Sequence, residues 1–212
     1  MCFKYKVIEY SQEEREEVIK YFVETFGNVN RLLKEGKTKR LVRELMISYP
    51  TDKRPYYVIS TLGMGAQSMK NVPEKERNHG IGRCELLMYL PKDWNLKVRD
   101  YDNYWPISWL RGLMTYPTVQ KTWLSYGHTI RVGNEFPNTK FDSFLFDFPH
   151  FTKHNTFKVK LKTNKEIFFY QVVPLYNDEL MYKLENSYTD LKALLKEDAG
   201  IINPKRNSVL KI

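Results

Sequence analysis

The first clear period along the chain is helical. Ser11 is followed three residues later by Glu14, the spacing of a capping box. Val18, Ile19, Phe22, Val23 and Phe26 then recur at three- and four-residue intervals, so one apolar stripe runs down a helix that Gly27 ends. Beyond it the pattern shifts to alternating and unbroken apolar runs. Residues 41–48 and 56–61 predict strands, the second rich in β-branched and aromatic side chains, and "RCELLMYLP" predicts another that Pro91 closes. Two helical stretches are expected next, at 106–114 and 119–124, divided by Pro117, which a continuing helix tolerates poorly. "HTIRV", "SFLFDF", "TFKVKL" and "EIFFYQVV" read as four further strands. Two helices finish the chain, at 178–184 and 188–196, the second with Ser187 and Asp190 as a cap pair and Gly200 as its stop. Strands and helices mix without strict alternation. That predicts an α+β fold, one domain over 1–212, with a mixed or mainly antiparallel β-sheet and flanking helices.

Composition supports a folded chain with a sizeable core: 212 residues, 42% hydrophobic and 15% aromatic. Cys2 and Cys84 are far apart and form no Cys-x-x-Cys, so neither a disulfide framework nor a thiolate metal site is suggested, and reduced thiols in a cytoplasm are expected. The charged start "MCFKYKVIEYSQEER" is unlike a signal peptide, and no stretch has the apolar length of a membrane span. A net charge of +9 raises the question of nucleic acid, which the arrangement of the charge answers. Residues 31–54 make a basic patch without a nucleic-acid motif. In "FKVKLKTNK", Lys158, Lys160 and Lys162 alternate with Phe157, Val159 and Leu161, which at the period of a strand puts the lysines on one face. Edge lysines that discourage sheet-to-sheet pairing explain this as well as a phosphate track does, and the functional alternative is an acidic protein partner.

The segment "STLGMGAQS", residues 60–68, follows an apolar run and has the look of a phosphate loop. A dinucleotide fingerprint needs a third glycine where Ser68 stands, and a crossover helix. Glu85 lies about twenty residues on, as a ribose-binding acid would, but the intervening "MKNVPEKERNHGIGR" has no apolar stripe from which to build that helix. A Walker loop is excluded because no Gly-Lys-Ser or Gly-Lys-Thr occurs. The remaining reading is a strand-exit turn in which glycines supply positive φ or close backbone approach.

The blocks "TLGMGAQSM", "CELLMYLPKDW", "YWPISWLRGLM", "TWLSYGHTI", "FFYQVVPLYNDEL" and "PKRNSVL", in this order between residues 55 and 210, resemble the Suppressor of Fused domain family in its compact bacterial form. The chain departs from the family pattern at Gly65, where Gly-Met-Ser is usual. The resemblance implies one α+β domain used for protein binding, without catalysis or cofactor. The animal namesake holds a peptide segment of a transcription factor, and many bacterial members are thought to be immunity proteins that neutralise a toxin.

His150 and His154 have a His-x-x-x-His spacing, but Pro149 and polar neighbours suggest a loop, and the glutamate of a metalloprotease motif is missing. No metal is expected. His128 would need Ser125 or Ser60 within hydrogen-bond reach to act as a base; an imidazole bonded to backbone is the simpler expectation. Glu85, at the start of an apolar strand, is costly to bury unless paired, which predicts a cationic or backbone N–H partner, with Arg83 or Arg206 as the candidate cations. Trp105 and Trp109 are four residues apart, so a helix would bring them to one side; lining a groove beside Gly63–Gly65, they would anchor a partner while the turn offered its backbone to an extended peptide. The expected partner-binding set is therefore Gly63, Met64, Gly65, Glu85, Trp105, Trp109, His128 and Arg206, with no catalytic residue. The expected function is cytoplasmic, non-enzymatic binding of a toxin with an acidic surface, with a regulatory module for an endogenous peptide or transcription factor as the alternative and a hydrolase as a third reading.

Overall fold

The computed structural model describes residues 8–34, 41–96, 101–152 and 157–210. Helix α1, Gln12–Phe26, begins at the capping box: the Glu14 backbone N–H donates to Ser11 Oγ at 3.2 Å, and the Ser11 N–H to Glu14 Oε2 at 3.3 Å. It ends at Gly27, whose φ of 101° lets its N–H turn back to the Val23 carbonyl.

One eight-stranded sheet organises the rest: β1 Arg31–Lys34, β2 Glu44–Ser48, β3 Tyr56–Leu62, β4 Cys84–Pro91, β5 Thr129–Arg131, β6 Phe141–Asp147, β7 Lys158–Lys160 and β8 Glu166–Tyr176. The order is β1-β2-β3-β4-β8-β6-β5, and β7 continues the β6 side of β8. All pairs are antiparallel except β4 with β8, which run parallel with Cys84 opposite Phe168 and Leu87 opposite Gln171. The fold is the mixed, mainly antiparallel α+β arrangement the sequence predicts.

Alternation along β8 decides what each face packs against. Phe168, Tyr170 and Val172 join the larger core, which includes Leu86 and Met88 of β4 and Trp105, Ile107, Leu110 and Leu113 of helix α3, Tyr101–Leu113. Ile167 and Phe169 point the other way, against Val18, Phe22 and Phe26 of α1. Further along that second face, Val173 and Leu175 meet Leu191 and Leu195 of the closing helices, α5 Asn177–Glu185 and α6 Tyr188–Leu195. The remaining helices are short: α2 Glu74–Asn78 and α4 Tyr116–Val119.

Several local expectations are corrected. Pro106 does not start α3 but lies inside it; the proline forfeits one backbone hydrogen bond, while burial of Trp105, Ile107, Leu110 and Leu113 holds the helix together. Pro117 does not divide two helices. It occupies the first turn of α4, where its missing N–H is not needed, and Lys121 at φ 51° turns the chain so that 120–124 is not helical. The strand expected over 41–48 is confined to β2, with Leu41 making only an isolated bridge to Ile8. Half-buried β1 and exposed α2 were not foreseen. α6 stops at Lys196, φ 43°, and a 3₁₀ turn then leads to Gly200. Lys162 leaves the face of Lys158 and Lys160, because β7 ends at Lys160 and the following turn carries the Lys162 ammonium to Glu13 at 2.9 Å.

Candidate functional site

The Gly-x-Gly turn does hold an oxyanion, and that oxyanion belongs to the same chain. Glu85 is fully buried at the start of β4. Its Oε1 accepts from the Gly63 N–H at 2.9 Å, the Gly65 N–H at 3.0 Å and the Tyr10 hydroxyl at 2.7 Å, and its Oε2 accepts from the Thr61 hydroxyl at 2.5 Å. The Thr61 oxygen also accepts from the Leu86 N–H at 2.8 Å, which locks that hydroxyl toward the carboxylate. Burial raises the Glu85 carboxyl above its ordinary range, against the pull of the four donors. The Tyr10 phenol is pushed well up, first by burial and then by Glu85.

Local geometry explains the glycines. Gly63 has φ 117°, and a Cβ there would lie 2.4 Å from the Val42 carbonyl oxygen. At Gly65 a Cβ would lie 2.3 Å from the Tyr10 hydroxyl oxygen and 2.9 Å from a methyl of Ile167, so the serine usual in the family pattern would collide with the tyrosine that donates to Glu85. A backbone N–H partner for Glu85 was one of the two alternatives predicted. The cations are not its partners: Arg83 donates to the Gly65 and Ala66 carbonyls at 3.0 and 2.6 Å, bracing the turn from its outer side. Gly63, Met64 and Gly65 are buried and both glycine N–H groups are engaged by Glu85, so neither glycine has an N–H to offer an extended peptide. Tyr10 and Thr61 were missed. Thr61 carried a signal, a hydroxyl on a buried strand two residues before the turn; Tyr10 carried none, being distant in sequence.

Arg206 belongs to a second buried centre. Its guanidinium forks onto Glu179, Nη1 to Oε1 at 2.5 Å and Nη2 to Oε2 at 2.7 Å, donates to the Pro174 carbonyl at 3.1 Å, and lies over the rings of Phe141 and Tyr176. The Val209 N–H adds a bond to Glu179 at 3.0 Å, and the Tyr176 hydroxyl donates to the Arg206 carbonyl. This pair fastens the final segment to the end of β8. Glu179 was missed as the partner, although its place in the first turn of α5 was visible.

His128 lies edge-on to Trp123, ring centroids 4.3 Å apart, and desolvation lowers its pKa below the ordinary histidine value. It does not meet a nucleophile: the Ser125 hydroxyl is 3.3 Å from that of Tyr170, and the Ser60 hydroxyl donates to the Thr61 carbonyl. His150 Nε2 faces Glu197 at 3.2 Å, and His154 lies outside the described residues. Among the described residues no three His, Cys, Asp or Glu side chains gather as a metal site.

Trp105 and Trp109 do come to one side of α3 and line an open groove of about 570 Å³ with Tyr104, Val132 and Phe136. Phe136 is the hinge of the cluster, 5.2 Å from Trp105, 5.5 Å from Trp109 and stacked on Phe144 at 4.7 Å. Ser108, Asn134 and Glu135 give the groove a polar margin. The sequence placed this groove beside the glycine turn, but no residue of 63–65 lines it: α3 presents the tryptophans to the 132–137 segment, while Met114, beyond the end of α3, lies near Gly63.

The family model for the Suppressor of fused protein (SUFU) matches residues 44–207. No curated protein matches the chain in sequence. Among solved structures, a chain of the Sufu–Fu complex aligns with TM-score 0.67 and 15% identity over 96% of this chain and 93% of that one. Drosophila Suppressor of Fused aligns with TM-score 0.61 and 14% identity over 92% of this chain but 50% of that one, so this chain spans half of the fly protein's length. A Suppressor of fused homologue from Neisseria gonorrhoeae aligns with TM-score 0.56 and 15% identity over 93% and 94%. At such identities the structural likeness speaks to fold alone, while the family model spans most of the sheet, with Glu85, Glu179 and Arg206: the chain belongs to the Suppressor of fused protein family.

Proposed function

We propose that this chain is a non-enzymatic protein-binding domain that acts in the cytoplasm by stoichiometric occlusion of a toxin, as an immunity protein. The observation that carries the binding part is the Trp105–Trp109 groove, an apolar concavity of about 570 Å³ walled by large aromatic rings and rimmed by polar groups. Such a site suits anchoring side chains of a partner, and tryptophans are prominent among residues whose loss weakens interfaces most. The buried polar groups argue in the same direction. Glu85 and the Glu179–Arg206 pair are saturated by internal partners, and His128 lies edge-on to Trp123 rather than paired with a hydroxyl, so among the described residues neither a hydrolase nor a metal reaction has its parts assembled. The net charge of +9 supports a partner with an acidic surface and an association that salt weakens. No helix among the described residues is long and apolar enough to cross a membrane.

Co-expression with a toxin encoded beside it should restore growth and yield a stable complex, and Trp109→Ala should lower the affinity by about 2 kcal/mol or more, the loss typical of an interface anchor. Failure of both rescue and complex would refute the immunity role. The alternative, a regulatory module for an endogenous peptide or transcription factor, is favoured by the likeness to a Sufu chain solved with Fu. Capture of a cellular regulator, with no effect on the neighbouring toxin, would support it.

A further inference from the structure

A second surface has a different chemistry. The 77–83 segment and the β7–β8 hairpin enclose an open cleft of about 740 Å³ that shares no lining residue with the tryptophan groove. Its lining includes Arg77, Arg83, Lys158, Lys160 and Lys165 and a single carboxylate, Glu166. Glu166 pairs with Lys158 at 3.0 Å, and Lys165 reaches Glu14 at 2.6 Å. The other three cations have no carboxylate partner among the described residues. Arg77 is held by the Val72 carbonyl at 2.8 Å and Arg83 by the Gly65 and Ala66 carbonyls, so both guanidinium groups are fixed in place by neutral acceptors. Lys160 is exposed, on the same face of β7 as Lys158.

We propose that this cleft receives an acidic, extended segment of the protein partner, lying along β7 with carboxylates at alternate positions. The proposal rests on the protein-binding reading above and adds a place and a chemistry to it. β7 is an edge strand with no strand beyond it among the described residues, so an extended chain beside it would point every second side chain to the face that bears Lys158 and Lys160. The same lysines repel a second copy of this edge, which selects an acidic strand over self-association. A peptide fits better than nucleic acid. No Phe, Tyr or Trp ring lines the cleft as a platform for successive bases, His79 being its one ring, and the helix that lines it, α2, has only five residues, too short to fill a groove of DNA.

The test uses the whole chain and fluorescent ten-residue peptides of repeated Glu-Thr, Gln-Thr and Lys-Thr, with a ten-nucleotide oligothymidine as the nucleic-acid arm, followed by anisotropy. The Glu-Thr peptide should bind at least about tenfold tighter than the Gln-Thr peptide, and weaken as salt shortens the screening length from about 10 Å at 0.1 M. Combined Arg77→Gln, Lys158→Gln and Lys160→Gln should remove that preference while tryptophan fluorescence shows an unchanged fold; Lys160→Glu alone, at an exposed position, gives the same reading should the triple variant not fold. Equal binding of the acidic and neutral peptides, or an acidic preference that survives both variants, overturns the proposal. Tighter binding of the oligothymidine than of the acidic peptide overturns it in favour of nucleic acid. A partner captured through the Trp109 groove with undiminished affinity in the cleft variants overturns the cleft alone and leaves the protein-binding function standing.

Discussion

Replacing Glu85 by alanine or by glutamine separates what its carboxylate does for the fold from what it could do for chemistry. In Glu85→Ala four donors lose their acceptor: the Tyr10 and Thr61 hydroxyls and the Gly63 and Gly65 N–H groups. Tyr10 and Gly63 border a small cleft of about 230 Å³, through which water can replace the lost acceptor. Thr61 is fully buried, and Gly65 lies beneath Tyr10 and Ile167. A buried group left unsatisfied costs about 1–3 kcal/mol, so these two alone make the alanine variant about 2–6 kcal/mol less stable. Glutamine keeps an oxygen for Tyr10, Gly63 and Gly65 and misplaces only the bond to Thr61, while removing the cost of a buried charge, so its loss should stay near 1 kcal/mol. Urea unfolding followed by tryptophan fluorescence resolves the two. With a slope of about 2.5 kcal/mol/M, the alanine midpoint should fall about 1 M or more and the glutamine midpoint less than half of that. Alanine and glutamine variants of equal stability, or an alanine variant within about 0.5 kcal/mol of wild type, would refute the cradle as a structural element.

Other outcomes follow from the same sites. Because burial raises the Glu85 pKa, the folded state holds its proton more tightly than the unfolded one; the stability of wild type minus that of Glu85→Gln should be greatest below about pH 4.3 and decline as pH rises toward the folded value, measured by urea titrations across that window. Gly65→Ser should destabilise by about 1–3 kcal/mol through collision with Tyr10, and much less in a Tyr10→Phe background, a coupling that a double-mutant cycle in urea would detect. Arg206→Met should cost about 3–5 kcal/mol because it strands Glu179, whereas Arg206→Met with Glu179→Leu should recover most of that, as thermal unfolding would show. The His128 ring should titrate below about pH 6.5 in a proton NMR series, since its burial disfavours the charged form.

The elements legible in the sequence were those whose side chains declare a period or a cap. The Ser11–Glu14 box, the unbroken apolar run of β4 and the stripe of α1 each contain their own reason. β1 was hidden because Arg31–Lys34 is a half-buried edge with charge at both ends, and α2 because its five residues bury none of their side chains. Pro106 and Pro117 misled for one reason. A proline's local penalty is small beside the burial of four large side chains in α3, and vanishes in the first turn of α4. At the candidate site the sequence indicated that Glu85 needed a partner and that the glycines made a turn. That each solves the other's problem depends on the β3–β4 register, with Ser60 opposite Leu87, which no local pattern encodes.

The single parallel pairing, β4 with β8, has a consequence for how the chain emerges during synthesis. β4 is buried along almost its whole length, and one of its edges is completed only by a strand that ends at Tyr176. Between the appearance of Pro91 and that of Tyr176 the ribosome must add the intervening residues, about 4–17 s of elongation at common rates. Throughout that interval the apolar "CELLMYLP" presents an open hydrogen-bonding edge to any other nascent strand. The hairpin of β3 and β4 can form early, but the sheet closes only when the C-terminal third arrives. Truncations that stop before Glu166 should therefore aggregate rather than yield a smaller folded domain, and the full chain should gain from chaperones that shield β4 while it waits.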